Sequence, residues 1–133
     1  MGVARFVIDS GATLHLADAR AKVSAEHELL APTLWRSETL AVLYEAVRRG
    51  ELAADVARER VAWINALQIR LLGDAVLRRR AWGLAFELGL DTTYPAEYVA
   101  LAQLQKGTLV STDAQLLERI RDIVPTATVD VLG

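Results

Sequence analysis

Cysteine is absent from the 133 residues, which excludes disulfides, thiolate nucleophiles and thiolate metal sites. The lack fits a reducing cytoplasm. Histidine occurs only at His15 and His27, in no pattern that suggests a metal cage or acid–base catalysis. Any metal would therefore be held by oxygen, and oxygen donors select magnesium or manganese. Long apolar runs are also missing, since none approaches the ~18–20 residues of a membrane span. An acid at Asp9 comes too early for a signal peptide. The expectation is a soluble, cytoplasmic protein with no membrane partner. Charge of one sign is scarce as well. A formal net charge of −2 argues against general affinity for nucleic-acid backbones. It leaves nuclease chemistry open, because a bound divalent cation brings its own positive charge.

What the chain does have is apolar surface. Hydrophobic residues make up 53% of it, more than a small interior needs, and the surplus points to a subunit or partner interface. The length suits one domain, residues 1–133, with no repeat, low-complexity stretch or linker. Arg5-Phe6-Val7-Ile8 reads as a buried strand that stops at Asp9-Ser10-Gly11. Further strands are expected at 29–31, 69–72 and 108–111, with an edge strand at 128–132. Helices are expected at 12–19, from Thr33 to Gly50, at 51–67, 75–88 and 95–105, and at 113–120. Gly50 and Gly89 stand where helices end, and Asp74 where one begins. Strands that alternate with helices imply an α/β fold, a mostly parallel sheet of four to five strands flanked by helices.

In such a sheet ligands bind beyond the carboxyl ends of the strands. Asp9 and Asp113 both follow strands, and Glu38 lies in the first turns of the helix after the second strand. Right-handed crossovers bring all three to one sheet edge. Each alone has a plain structural role: Asp9 and Asp113 as helix caps, Glu38 as a solvated helix acid. Together they repel one another unless a cation stands between them, and a hard divalent ion is the usual solution. Such an ion activates water and stabilises phosphoryl charge.

Phe6-Val7-Ile8-Asp9-Ser10-Gly11, Arg36-Ser37-Glu38-Thr39-Leu40, the run from Tyr94 to Ala102 and Leu109-Val110-Ser111-Thr112-Asp113 together resemble the PIN-domain family, in particular its VapC-type toxins. The resemblance spans nearly the whole chain and implies a three-layer PIN-like fold. It also implies an RNA endonuclease with magnesium or manganese at Asp9, Glu38 and Asp113. The family's toxins usually form homodimers silenced by a cognate antitoxin, so RNA, a second copy and an antitoxin are the implied partners.

One position departs from the family. Its tyrosine-aspartate-alanine stretch is Tyr94-Pro95-Ala96 here, so Pro95 stands where a metal-site acid is usual. A first-turn proline suits the helix but cannot ligate. Glu97 or Asp91 could compensate, although Glu97 equally suits the helix dipole and Asp91 an exposed turn. Ser10 and Thr112 are auxiliary candidates for holding a water or a carboxylate. A second reading is a PIN-like scaffold, impaired by Pro95, that still dimerises and binds an antitoxin. A phosphoacceptor domain is set aside, because Asp9 has no adjacent acid and neither Lys22 nor Lys106 ends a late strand. Trp35, Trp63 and Trp82 are expected in the core or at a dimer face, and Arg78-Arg79-Arg80 on a solvated helix face.

Overall fold

The structure, a computed structural model, describes residues 4–133. Its first strand, β1 (Arg5–Ile8), leads into α1 (Ser10–Asp18), β2 (Glu28–Pro32), α2 (Trp35–Arg48), α3 (Ala54–Ala66) and β3 (Arg70–Leu72). Then come α4 (Ala75–Leu88), α5 (Tyr94–Gln105), β4 (Thr108–Val110), α6 (Ala114–Ile120) and β5 (Thr126–Ala127). The five strands form one sheet in the order β3-β2-β1-β4-β5, and every pairing is parallel. β1 is central: Val7 lies beside Leu30 on one side and Leu109 on the other. Because both sheet faces are covered, Phe6, Val7 and Ile8 are all buried, which is why this strand reads as a continuous apolar run.

From β1 the chain moves outward through β2 to β3, then returns across the sheet to β4 and β5. Right-handed crossovers place α1, α2 and α3 on one face and α4, α5 and α6 on the other. The packing agrees. α1, α2 and α3 touch one another, while α5 lies against β1, β2 and β4 with α4 outside it. The reversal makes β1 and β4 a topological switch point, where neighbouring strands send their chains to opposite faces and leave a crevice beyond their carboxyl ends.

Most expected elements are present, with shifted ends. α1 begins at Ser10 because Asp9, not a later residue, caps it. The edge strand is the one relocation. β5 is Thr126–Ala127, just after Pro125, whose carbonyl accepts the Leu109 N–H at 2.9 Å. Val129–Leu132, expected as strand, is a short 3-10 helix. The tight turn swings Leu132 into full burial while Asp130 stays exposed, whereas a strand would turn both to the same face. The three tryptophans separate as well. Trp35 is fully buried, Trp63 partly, and Trp82 is 63% exposed in edge-to-face contact with the exposed Phe86.

Candidate metal centre

Asp9 sits at the switch point, tied directly to β4 and α1. Its N–H donates to Val110 O at the end of β4, at 3.2 Å. Its side chain caps α1, with Oδ1 accepting the Ala12 N–H at 2.8 Å. Its carbonyl accepts both the N–H and the hydroxyl of Thr13, at 3.0 and 2.8 Å. The Thr13 hydroxyl in turn accepts the Trp35 indole N–H at 2.8 Å, so the first residue of α2 is wired to the turn after β1. A Cβ on Gly11 would stand 2.9 Å from Thr112 Oγ1, so the absence of a side chain there lets the end of β4 come close.

Asp113 caps α6, accepting the N–H groups of Gln115 and Leu116 on Oδ1, both at 3.1 Å. Between the two aspartates lies Ser111, only 1% exposed. Its Oγ accepts the Asp113 N–H at 3.0 Å, and its hydroxyl also bears on the Asp9 carboxylate, favouring the charged form. Thr112, the auxiliary candidate next to Asp113, is exposed just beyond β4 with its Oγ1 close to the turn at Gly11, while Ser111 is buried. Ser10 opens α1, half-buried.

Glu38 reaches the site from the first turns of α2. Its Oε1 accepts the Tyr98 hydroxyl of α5 at 2.7 Å, a short charge-assisted bond that joins the two faces of the molecule. Tyr98 was not anticipated. Its phenol sits in an apolar helical run, which reads as core, and nothing in the sequence marks the carboxylate it meets across 60 residues. One residue earlier is Glu97, half-buried in the first turn of α5, with Pro95 in the same turn. Asp91 is exposed in the preceding turn, and its charge does not bear on Asp9, Glu97 or Tyr98.

The charges show what has gathered. Burial pushes the Asp9 carboxyl above its ordinary range. The hydrogen bonds from Ser111 and Ala12 oppose this, and the negative charges of Asp113 and Glu38 add to it. No arginine, lysine or histidine is among the groups that act on it. Burial also raises Glu97, opposed by Arg78 of α4 and reinforced by Glu38. The Tyr98 hydroxyl is pushed far above its ordinary range by burial, by its bond to Glu38, and by the charges of Glu38, Asp9 and Glu97. It stays a neutral donor at any physiological pH. Arg78 is thus more than part of a solvated face, since its charge reaches a site acid.

The acids are electrostatic neighbours but not a closed shell. Among the described residues, no three His, Cys, Asp or Glu side chains stand close enough to hold a metal directly. Each of the three carboxylates rests on its own hydrogen-bond donor. Magnesium does not require a closed shell, because it keeps several waters and binds through one or two carboxylates. A half-buried carboxylate between two like charges, with no protein cation to neutralise it, suits that donor chemistry.

No protein-family model and no curated protein matches the sequence. Solved structures do. The protein PAE2754 from Pyrobaculum aerophilum aligns over 98% of this chain and 93% of its own, with 24% identity and a TM-score of 0.78. VapBC-1 from nontypeable Haemophilus influenzae aligns over 95% and 98%, with 12% identity and a TM-score of 0.62. VapBC2 from Rickettsia felis, solved bound to a DNA fragment from its promoter, aligns over 93% and 98%, with 9% identity and a TM-score of 0.69. At these identities the likeness is one of fold. It agrees with the expected three-layer PIN-like architecture, with a fully parallel five-stranded sheet between helices. Among the described residues no helix is long and apolar enough to cross a membrane.

Proposed function

We propose that this chain is a magnesium- or manganese-dependent RNA endonuclease, the toxin of a toxin–antitoxin pair. The observation that carries the reading is the Asp9 carboxylate, held at the β1/β4 switch point beside two further negative charges and no positive one. Asp9, Glu38 and Asp113 are the residues that would hold the ion, and Glu97 stands on the α5 side of the same cluster. When bound, the ion would supply an activated water and neutralise charge on the phosphoryl oxygen. The chain's own contribution is orientation. Ala12 and Ser111 hold Asp9, the α6 backbone holds Asp113, and Tyr98 holds Glu38. The likeness to VapBC structures supports an antitoxin as partner, and the exposed Trp82–Phe86 pair supports an apolar interface with a partner or a second copy.

The reading requires that the purified chain cut RNA with magnesium or manganese and stop in chelator. Persistent cutting in chelator would defeat it. Pro95 favours one other reading, the impaired scaffold, and Pro95→Asp separates the two. A proline in the first turn of α5 costs the helix nothing there, so an aspartate is accommodated as an N-terminal acid. The expected outcome is a metal-dependent rate raised about tenfold in Pro95→Asp, the scale on which groups around a metal act. If neither protein cuts RNA while both bind the antitoxin tightly, the scaffold reading stands and the nuclease falls.

A further inference from the structure

We infer that Tyr98 is the positioning residue of this site, the group that turns Glu38 toward Asp9 and keeps it there. The inference rests on the proposed metal site and adds a residue from the opposite face of the sheet. Glu38 lies on α2, among the helices on one face, whereas Tyr98 lies on α5, which covers the other. Their 2.7 Å contact lies at the carboxyl edge of the sheet, where Asp9 follows β1. A glutamate has three free side-chain torsions, and one beside two like charges lowers its energy by swinging out into water. Against that swing stands one phenol, 3% exposed, rigid beyond two torsions and packed within α5 against the sheet.

No arginine, lysine or histidine makes a hydrogen bond or ion pair with Glu38 among the described residues. The tether therefore does not neutralise the carboxylate. It orients the group while leaving its charge for a cation, and the second carboxylate oxygen stays clear of the bond. Pro95 offers no donor atom, and the phenol supplies α5's hydrogen bond to a proposed metal-binding side chain. A neutral donor that fixes a ligating carboxylate typically changes metal affinity or activity ten- to a hundredfold when removed.

The test measures Mn2+ affinity by calorimetry on the full chain, as wild type, Tyr98→Phe, Glu38→Gln and the double variant. Thermal melting in chelator controls for folding. The expected result is Mn2+ binding weakened about ten- to a hundredfold in Tyr98→Phe, with melting little changed. In RNA cleavage kcat falls while KM holds. In the Glu38→Gln background, Tyr98→Phe has no further effect on affinity, because the phenol acts through that carboxylate. Wild-type affinity in Tyr98→Phe overturns the inference and leaves the metal site standing. Equal weakening in both backgrounds also overturns it, since the phenol would then be supporting the fold in general. Absence of Mn2+ binding by the wild type defeats the metal site and this inference together.

Discussion

If the proposed site is right, Asp9→Asn should abolish metal-dependent RNA cleavage yet leave the metal-free fold at least as stable as before. The two effects share one cause. Loss of a carboxylate that helps hold a catalytic ion forfeits several kcal/mol of transition-state stabilisation, on the order of a thousandfold in rate or more. The fold, in contrast, is relieved. Asparagine caps a helix about as well as aspartate, so the Ala12 N–H keeps its acceptor, and the side-chain carbonyl can still receive the Ser111 hydroxyl. What disappears is a charge held among like charges. The sign follows from linkage. Asp9 titrates higher in the folded state than in the unfolded chain, mainly through burial, so the native state binds the proton more tightly. Its contribution is most favourable below the ordinary carboxylate range and is lost as pH rises through the raised value. Wild-type melting in chelator should therefore fall over that window, Asp9→Asn should lack this component, and magnesium should restore wild type alone. A variant that still cuts RNA with magnesium, or that melts well below wild type in chelator at neutral pH, would contradict the assignment.

Much of this arrangement could be read from the chain because the signals were local. An apolar run that ends in Asp-Ser-Gly fixes a central strand and its helix cap at once, and the same holds for Val110 to Asp113. Two capped helices that start at neighbouring strand ends then bring Asp9 and Asp113 together by topology alone. Non-local contacts were not legible. The Tyr98–Glu38 bond spans 60 residues, and in sequence a tyrosine inside Ala-Glu-Tyr-Val-Ala-Leu-Ala looks like packing. The inward turn of Ser111 is not legible either, because beyond the end of β4 nothing local marks which of two adjacent hydroxyls is buried. The end of the chain misled for another reason. Val129 to Leu132 has the composition of a strand, but β4 is already paired by Thr126–Ala127, and the remaining residues bury more by turning Leu132 inward.

Trp35→Ala should destabilise the protein more than any change at the acids, by about 3–5 kcal/mol, a melting point lower by roughly 10–20 °C. Trp35 heads the largest fully buried side chains, with no exposed surface, and its removal leaves a cavity between α1, α2 and the sheet. Volume is only part of its role. The indole N–H donates to Thr13, whose hydroxyl donates to the carbonyl of Asp9, so one buried relay holds the turn that carries the site. Trp35→Phe keeps most of the volume and breaks only the relay, at a cost of about 1–2 kcal/mol. Thr13→Val costs about 1–3 kcal/mol, because it strands the indole N–H inside the core. If the relay is real, these two costs do not add: once the indole is gone, valine at 13 orphans no donor. The double variant should be more stable than the separate losses predict by about 1 kcal/mol. Strict additivity in denaturant melts would mean that Trp35 fills space and nothing more, and that the turn bearing Asp9 is held by its own helix cap alone.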